Sequence, residues 1–267
     1  MNDAALDRFA FAYAQHREAE GRGYSGEDLL SLPYLAKGPL ARQWAVRARS
    51  FDAFMKHVVR PQRARFGRPL RLLDLGAGNG WLSYRAALEN NETIALDVRS
   101  DEVDGLGAAA ALVERVPERM RCIAGSFDSI PLNDEQVDIA VFNASLHYSS
   151  NIQCTLAEAA RVVRRGGAIA IVDSPFYRSE QDGRAMVAEK QRDGPKTFGA
   201  HASVLLGRRS IEFLTQKRLA RASAPSGLRW SRKRVYYPFW YELRPFTAAL
   251  LGKRPPSRFD LWIAERP

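Results

Sequence analysis

Leu72-Leu73-Asp74-Leu75-Gly76-Ala77-Gly78-Asn79-Gly80-Trp81, with Asp97 downstream, is the stretch whose reading decides the fold. A short apolar run enters a glycine-rich turn, and the turn opens into a predicted helix. Glycines let the backbone approach a ligand closely, and a following helix presents unpaired N–H groups to it. That is the local chemistry of a nucleotide site. A dinucleotide fingerprint needs G-x-G-x-x-G/A. Here the glycines fall as G-x-G-x-G at Gly76, Gly78 and Gly80, and Trp81 holds the third small position.

Asp74-Leu75-Gly76-Ala77-Gly78-Asn79-Gly80 resembles the first motif of the class I S-adenosylmethionine (SAM)-dependent methyltransferases. The resemblance runs over roughly residues 70–173 and, more loosely, over the last forty or so. It implies SAM as cofactor. Asp74 and the loop Gly76, Ala77, Gly78, Asn79 and Gly80 would lie under its methionine and ribose. Asp97, closing Thr93-Ile94-Ala95-Leu96, would accept the ribose hydroxyls, with Val98 beside it. Ser126, Phe127 and Asp128 would hold the adenine, Asp128 accepting its amino group and Phe127 packing on the ring. Asn143 would stand near the methyl-bearing sulfur. The alternatives for these residues are ordinary ones: a structural turn, a surface acid, a core phenylalanine.

The chain pattern agrees with an α/β fold. Apolar strands at Leu70–Leu75, Thr93–Val98, Met120–Ala124, Val137–Asn143 and Ala168–Val172 alternate with predicted helices at 80–90, 108–116 and 152–164. The third of these helices is expected to stop at Gly166-Gly167. Such alternation means right-handed crossovers and a mostly parallel sheet. Two later strands, Gly227–Tyr236 and Phe259–Ala264, would close it with an antiparallel last strand. The expected architecture is therefore a Rossmann-like class I methyltransferase sheet with helices on both faces.

A single domain of 267 residues is expected, with three parts. Residues 1–66 would be an N-terminal helical cover. Leu40, Trp44, Ala48, Phe51, Met55 and Val58 mark one helical face within it, and that helix should stop near Pro61. Residues 69–173 would bind the cofactor. Residues 174–267 would carry acceptor-side helices, with one helix at 181–192 broken by Asp193-Gly194-Pro195 and another at 209–222. An aromatic insertion, Tyr237–Ser257, joins the closing strands.

Charge is divided along the chain. Residues 69–173 carry 9 basic and 15 acidic side chains, while residues 174–267 carry 19 and 8. Basic flanks suit an anionic substrate, a membrane surface or nucleic acid, or are simply a solvated surface. No apolar run approaches a membrane span and no basic-then-apolar leader is visible, so a cytoplasmic location is expected. The two cysteines, Cys122 and Cys154, make neither a disulfide framework nor a zinc site, and no metal is implied.

Acceptor chemistry is sought after the fourth strand, at Asn143-Ala144-Ser145-Leu146-His147-Tyr148. The resemblance makes Asn143, His147 and Tyr148 the candidate catalytic residues. The Asn/Asp-Pro-Pro-Tyr of many DNA and protein amide methyltransferases is missing. No cysteine stands where cytosine C5 methylation needs one. His147 has the unperturbed pKa of a general base, or else is a packing residue. Tyr148 and Tyr177 would orient the acceptor, and Asp173 would border its pocket or cap the next element. Trp44 and Arg47 would close the same cavity, and Tyr236–Tyr241 with Arg244 would roof it or pack as an apolar cap. The reading is methyl transfer to an O, N or C nucleophile of a small molecule, aromatic or anionic. The rivals are RNA methylation through the basic flanks, a SAM-binding regulator without activity and, more distantly, a dinucleotide oxidoreductase.

Overall fold

The structure, a computed structural model, describes residues 3–267. Seven strands form one sheet: β1 (Arg71–Leu75), β2 (Glu92–Asp97), β3 (Met120–Ala124), β4 (Val137–Asn143), β5 (Val163–Val172), β6 (Arg229–Lys233) and β7 (Leu261–Glu265). Their order is β3-β2-β1-β4-β5-β7-β6. The first five pair in parallel, and β7 runs antiparallel to both β5 and β6. This is the expected Rossmann-like sheet.

Both faces of the sheet are covered, which explains why its central strands read as unbroken apolar runs. Successive residues of a strand point to opposite faces. Leu72, Ile139, Val141, Ala168 and Ala170 accordingly join one core with Trp44, Phe54, Met55 and Leu82. Leu73, Leu75, Ala140, Phe142 and Ile169 join the other with Leu156, Ala159 and Leu219.

The helices are α1 (Asp3–Ala19), α2 (Gly26–Ser31), α3 (Ala41–Phe54), α4 (Arg60–Phe66), α5 (Trp81–Leu88), α6 (Ala110–Val113), α7 (Ile152–Val162), α8 (Glu180–Phe198), α9 (Ala202–Gly207), α10 (Gln216–Ser223), α11 (Phe239–Glu242) and α12 (Arg244–Leu250). α3 and α5 lie on one face of the sheet, α7 and α10 on the other. α1 packs on α9 through a small separate core of Phe9, Ala12 and Leu205.

Several boundaries differ from the sequence pattern, four of them with a visible cause. Pro61 does not stop the helix before it. A π turn at Met55–Val59 leads into α4, with Pro61 in its first turn, where the missing N–H is harmless; Gly67 ends the run in a left-handed conformation. The helix after β4 ends at Val162 rather than at Gly166-Gly167, because those glycines belong to β5: Val163 already pairs with Val137, and the Gly166 amide donates to the Arg266 carbonyl at 2.9 Å. α8 runs through Asp193-Gly194-Pro195 to Phe198; Gly194 is buried where Leu206 leaves no room for a side chain, and Pro195 sits in the last turn. Residues 209–214 are not helical; they are tied to neighbours by Ile211 N to Ser149 O at 2.8 Å and Leu214 N to Pro175 O at 3.0 Å, and the helix starts only after the Thr215 cap.

Candidate functional site

The order of strands reverses between β1 and β4, and in open α/β sheets the ligand crevice lies outside the carboxyl ends of the strands at such a point. A cavity of about 720 Å³ opens there. Its floor is the glycine loop after β1. The Gly76 and Ala77 amides donate to the Leu96 carbonyl at 2.8 and 3.0 Å, which ties the loop to β2. Gly76 has φ +76° and an added Cβ would lie 2.5 Å from Ser145 Cβ. Close approach of the β1 and β4 loops therefore depends on glycine there.

Most of the residues singled out by sequence line this cavity: Gly76, Ala77, Gly78, Asn79, Asp97, Val98, Ser126, Phe127, Asp128, Asn143, His147 and Tyr148. Asp74 and Gly80 do not. Asp74 is buried beneath the loop, where it accepts from Ser83 Oγ at 3.2 Å. Burial pushes its carboxyl up to about 7, with Ser83 opposing and Asp97 adding to the shift. Gly80 packs the turn onto β3, since a Cβ would meet Met120 Cε at 2.7 Å.

Asp97 is buried at the end of β2 and holds two backbone amides, Gly78 N at 2.8 Å and Arg99 N at 2.9 Å. Burial raises its pKa and those two amides oppose the rise. Asp128 is oriented by a hydrogen bond from Thr155 Oγ1, and Phe127 packs edge-on against Phe142 at 6.0 Å. Asn143 is buried, and its Oδ1 has no hydrogen-bond partner among the described residues. A backbone cradle, a carboxylate, an aromatic edge and an orphaned amide oxygen thus face one cavity. That donor and acceptor set fits a SAM-sized ligand laid across the β1–β4 crevice.

His147 and Tyr148 follow β4 in a single 3₁₀ turn, with ring centroids 4.3 Å apart. Burial, with the nearby charges of Lys190 and Arg47, lowers the His147 pKa to about 3. The ring is therefore neutral at physiological pH, far from the working range that the residue type alone suggests. Asp173, at the end of β5, also lines the cavity. Burial pushes its carboxyl up to about 6, opposed by Arg47 and by a hydrogen bond from Ser50 Oγ. Its Oδ2 is buried without a partner.

Tyr177 lies outside the cavity, edge-on to Phe213 at 5.9 Å. Trp44 and Arg47 do line it. Tyr236–Tyr241 and Arg244 do not roof it: Tyr237 is buried behind the wall, sharing a hydrogen bond with Ser50 Oγ at 2.8 Å and donating to the Phe259 carbonyl at 2.7 Å.

Other residues were not singled out by sequence. Phe9, Tyr13 and Arg17 descend from α1 into the cavity, and Arg208 and Arg209 enter after α9. Asp104 joins the cover to the floor, accepting from Arg17 Nε at 2.7 Å and from Asn79 Nδ2 at 3.0 Å. The spacing of Phe9, Tyr13 and Arg17, four residues apart, is a legible helix stripe. Nothing local marks Asp104, Arg208 or Arg209.

A family model described as a methyltransferase domain matches residues 73–171. The chain is 32% identical over 149 residues to malonyl-(acyl-carrier protein) O-methyltransferase of Methylococcus capsulatus, covering 54% of this chain and 49% of that one. It is 31% identical over 174 residues to the ubiquinone/menaquinone biosynthesis C-methyltransferase UbiE of Methylobacterium nodulans, covering 62% and 64%. The aligned part is thus less than two thirds of either relative. Among solved structures, geranyl diphosphate C-methyltransferase from Streptomyces coelicolor shares the fold with a TM-score of 0.61 at 15% identity, over 86% of this chain and 85% of that one. Residues 73–171 thus match a methyltransferase domain, and the sheet that carries them has the fold of a class I SAM-dependent methyltransferase.

Proposed function

We propose that the chain transfers the methyl group of SAM to a nucleophilic O, N or C of a small anionic acceptor, releasing S-adenosylhomocysteine. Bound SAM supplies an electrophilic methyl on a positively charged sulfur. The residues toward it are those of the floor: the Gly76–Asn79 backbone, Asp97 at the ribose, Phe127 and Asp128 at the adenine, and Asn143 beside the methionine portion. Two of these residues face the cavity with unused capacity, since Asn143 Oδ1 is unpartnered and Asp97 has lone pairs beyond its two amides.

One observation carries the acceptor class. Arg47, Arg208 and Arg209 line the cavity and none has an ion-pair partner among the described residues. Arg47 lies over the Trp44 ring at 5.2 Å and Arg208 over Phe9 at 4.1 Å. Burial lowers the pKa of both, so an incoming anion relieves a cost already present. A roof of α1 side chains, with Arg208 and Arg209 after α9, suits a small acceptor rather than a polymer.

Positioning the nucleophile in line with the methyl–sulfur bond supplies much of the acceleration. Where the acceptor must lose a proton, Asp173 is the better base than His147. Its carboxyl sits near working pH, whereas neutral His147 binds protons too weakly. His147 and Tyr148 then serve as hydrogen-bonding walls.

The test is calorimetric titration with S-adenosylhomocysteine, followed by a labelled-methyl screen of carboxylate, phosphate and neutral acceptors. Binding of S-adenosylhomocysteine with turnover of anionic acceptors is expected, with KM raised in Arg47→Ala and Arg208→Ala. Binding of NADH in its place overturns the methyltransferase reading. A preference for neutral acceptors overturns the acceptor class alone.

A further inference from the structure

The insertion between β6 and β7 is folded against the cavity wall yet turns most of its large apolar side chains to solvent. Among the described residues, seven of the ten exposed large apolar side chains lie between Tyr236 and Leu251. Phe239 is 77% exposed, Phe246 69% and Leu250 87%. Monomeric proteins rarely leave such residues clustered without a partner. The same stretch is strongly basic: residues 229–258 hold eight Lys and Arg and one acid, Glu242. Lys233 and Lys253 are exposed with no acidic partner among the described residues.

We propose that this insertion, α11–α12 with the end of β6, is a docking surface for an anionic phospholipid membrane. Three observations favour that occupant. The apolar side chains set aliphatic Leu243, Leu250 and Leu251 beside the aromatic rings, and hydrocarbon accommodates both kinds whereas base stacking would use the rings alone. The basic residues around them complement an anionic lipid surface. A second copy docked by two-fold symmetry would bring two basic rims together, which opposes self-association. No helix among the described residues is long and apolar enough to cross a membrane, so contact would be at the interface.

The position of the patch gives the contact a use. β6 is parallel to β5, so the insertion leaves the sheet at the same end as the cavity. Tyr237 anchors it to Ser50, and Ser50 also bonds Asp173 on the cavity wall. Phe259, at the end of the insertion, lines the cavity itself. A docked insertion therefore sets the cavity beside the bilayer, where an amphiphilic anionic acceptor resides. This last step rests on the proposed acceptor class; the docking does not.

The test uses the full chain with vesicles of phosphatidylcholine alone or containing phosphatidylglycerol. Co-sedimentation with the anionic vesicles is expected, much weaker with phosphatidylcholine, and quenching by brominated lipid tails should be lost in Trp240→Phe. Phe239→Ser/Phe246→Ser/Leu250→Ser should weaken vesicle binding by about tenfold or more, because hydrocarbon burial supplies the affinity. Its thermal unfolding and S-adenosylhomocysteine affinity should match the parent. No sedimentation with anionic vesicles at low salt overturns the proposal, as does equal binding by the triple variant. Sedimentation velocity showing a dimer that the triple variant dissolves assigns the surface to a second copy instead. Retention of S-adenosylhomocysteine binding in any of these outcomes leaves the methyltransferase reading standing.

Discussion

Tyr13 on α1 and Tyr148 after β4 meet through their hydroxyls at 3.0 Å, joining points 135 residues apart across the cavity. The rings are edge-on, 5.9 Å between centroids. One helical turn along α1, Arg17 reaches Asp104, which also holds Asn79 of the glycine loop. The cover is thus pinned to both sides of the crevice by polar contacts. Only a small apolar core, Phe9, Ala12 and Leu205, backs it.

A cover held this way should loosen when its pins are cut. Arg17→Ala is expected to weaken S-adenosylhomocysteine binding by about tenfold, near 1.4 kcal/mol, with Tyr13→Phe costing less. Proteolysis at residues 20–25 should quicken in both variants and slow again with ligand. Unchanged affinity and cleavage in Arg17→Ala would show that the cover is held by apolar packing alone.

Asp173 should set the pH dependence of methyl transfer to a protonated acceptor. Its active form is the carboxylate, so kcat/KM should rise as pH rises through about 6. Asp173→Asn should flatten this limb and lower the rate by about 10²-fold, a usual size for general base catalysis. His147→Gln should keep the inflection, because its ring does not titrate near that pH. An inflection that survives in Asp173→Asn and vanishes in His147→Gln reverses the two assignments.

Asp74 offers a stability test whose sign follows from linkage. Its folded pKa of about 7 lies above the unfolded value of 3.8, so the native state holds the proton more tightly. The buried charge is a native-state cost, absent below about pH 4 and fully present above about pH 7. At about 1.4 kcal/mol per pKa unit, the upper limit is about 4 kcal/mol. Asp74→Asn should therefore raise Tm relative to the parent more at pH 8.5 than at pH 5.5. Calorimetry showing the same difference at both pH values would mean that Asp74 is not carrying a buried charge.

Gly76→Ala tests the close approach of the loops after β1 and β4. The new Cβ would sit 2.5 Å from Ser145 Cβ at a φ of +76°, so both sterics and backbone oppose it. A loss of about 2–4 kcal/mol in urea unfolding is expected, with S-adenosylhomocysteine binding abolished. A stable variant that binds normally would mean that the loops separate freely.

The strands that build the site were readable because they are buried on both faces. Leu72-Leu73 and Val137–Asn143 need no partner to be recognised as core strands, and the glycines and Asp97 mark where the backbone must turn. The boundaries at Gly166-Gly167, Pro61 and Asp193-Gly194-Pro195 were misread for a shared reason. Local breaking tendency is weak beside a tertiary contact, whether strand pairing with β4, a π turn, or Leu206 packed on Gly194. Asp104, Arg208 and Arg209 have no local pattern, and only the folded chain brings them to the cavity.

The sequence by itself determined the parallel sheet, the glycine loop and the order of acids along it, because these follow from short-range burial and turn chemistry. Tertiary structure alone decided protonation and closure. His147 and Asp173 are ordinary titratable residues in the sequence; their burial, with Arg47 nearby, moves one to about 3 and the other to about 6. Desolvation is a property of the assembled cavity, and so is the meeting of Tyr13 with Tyr148.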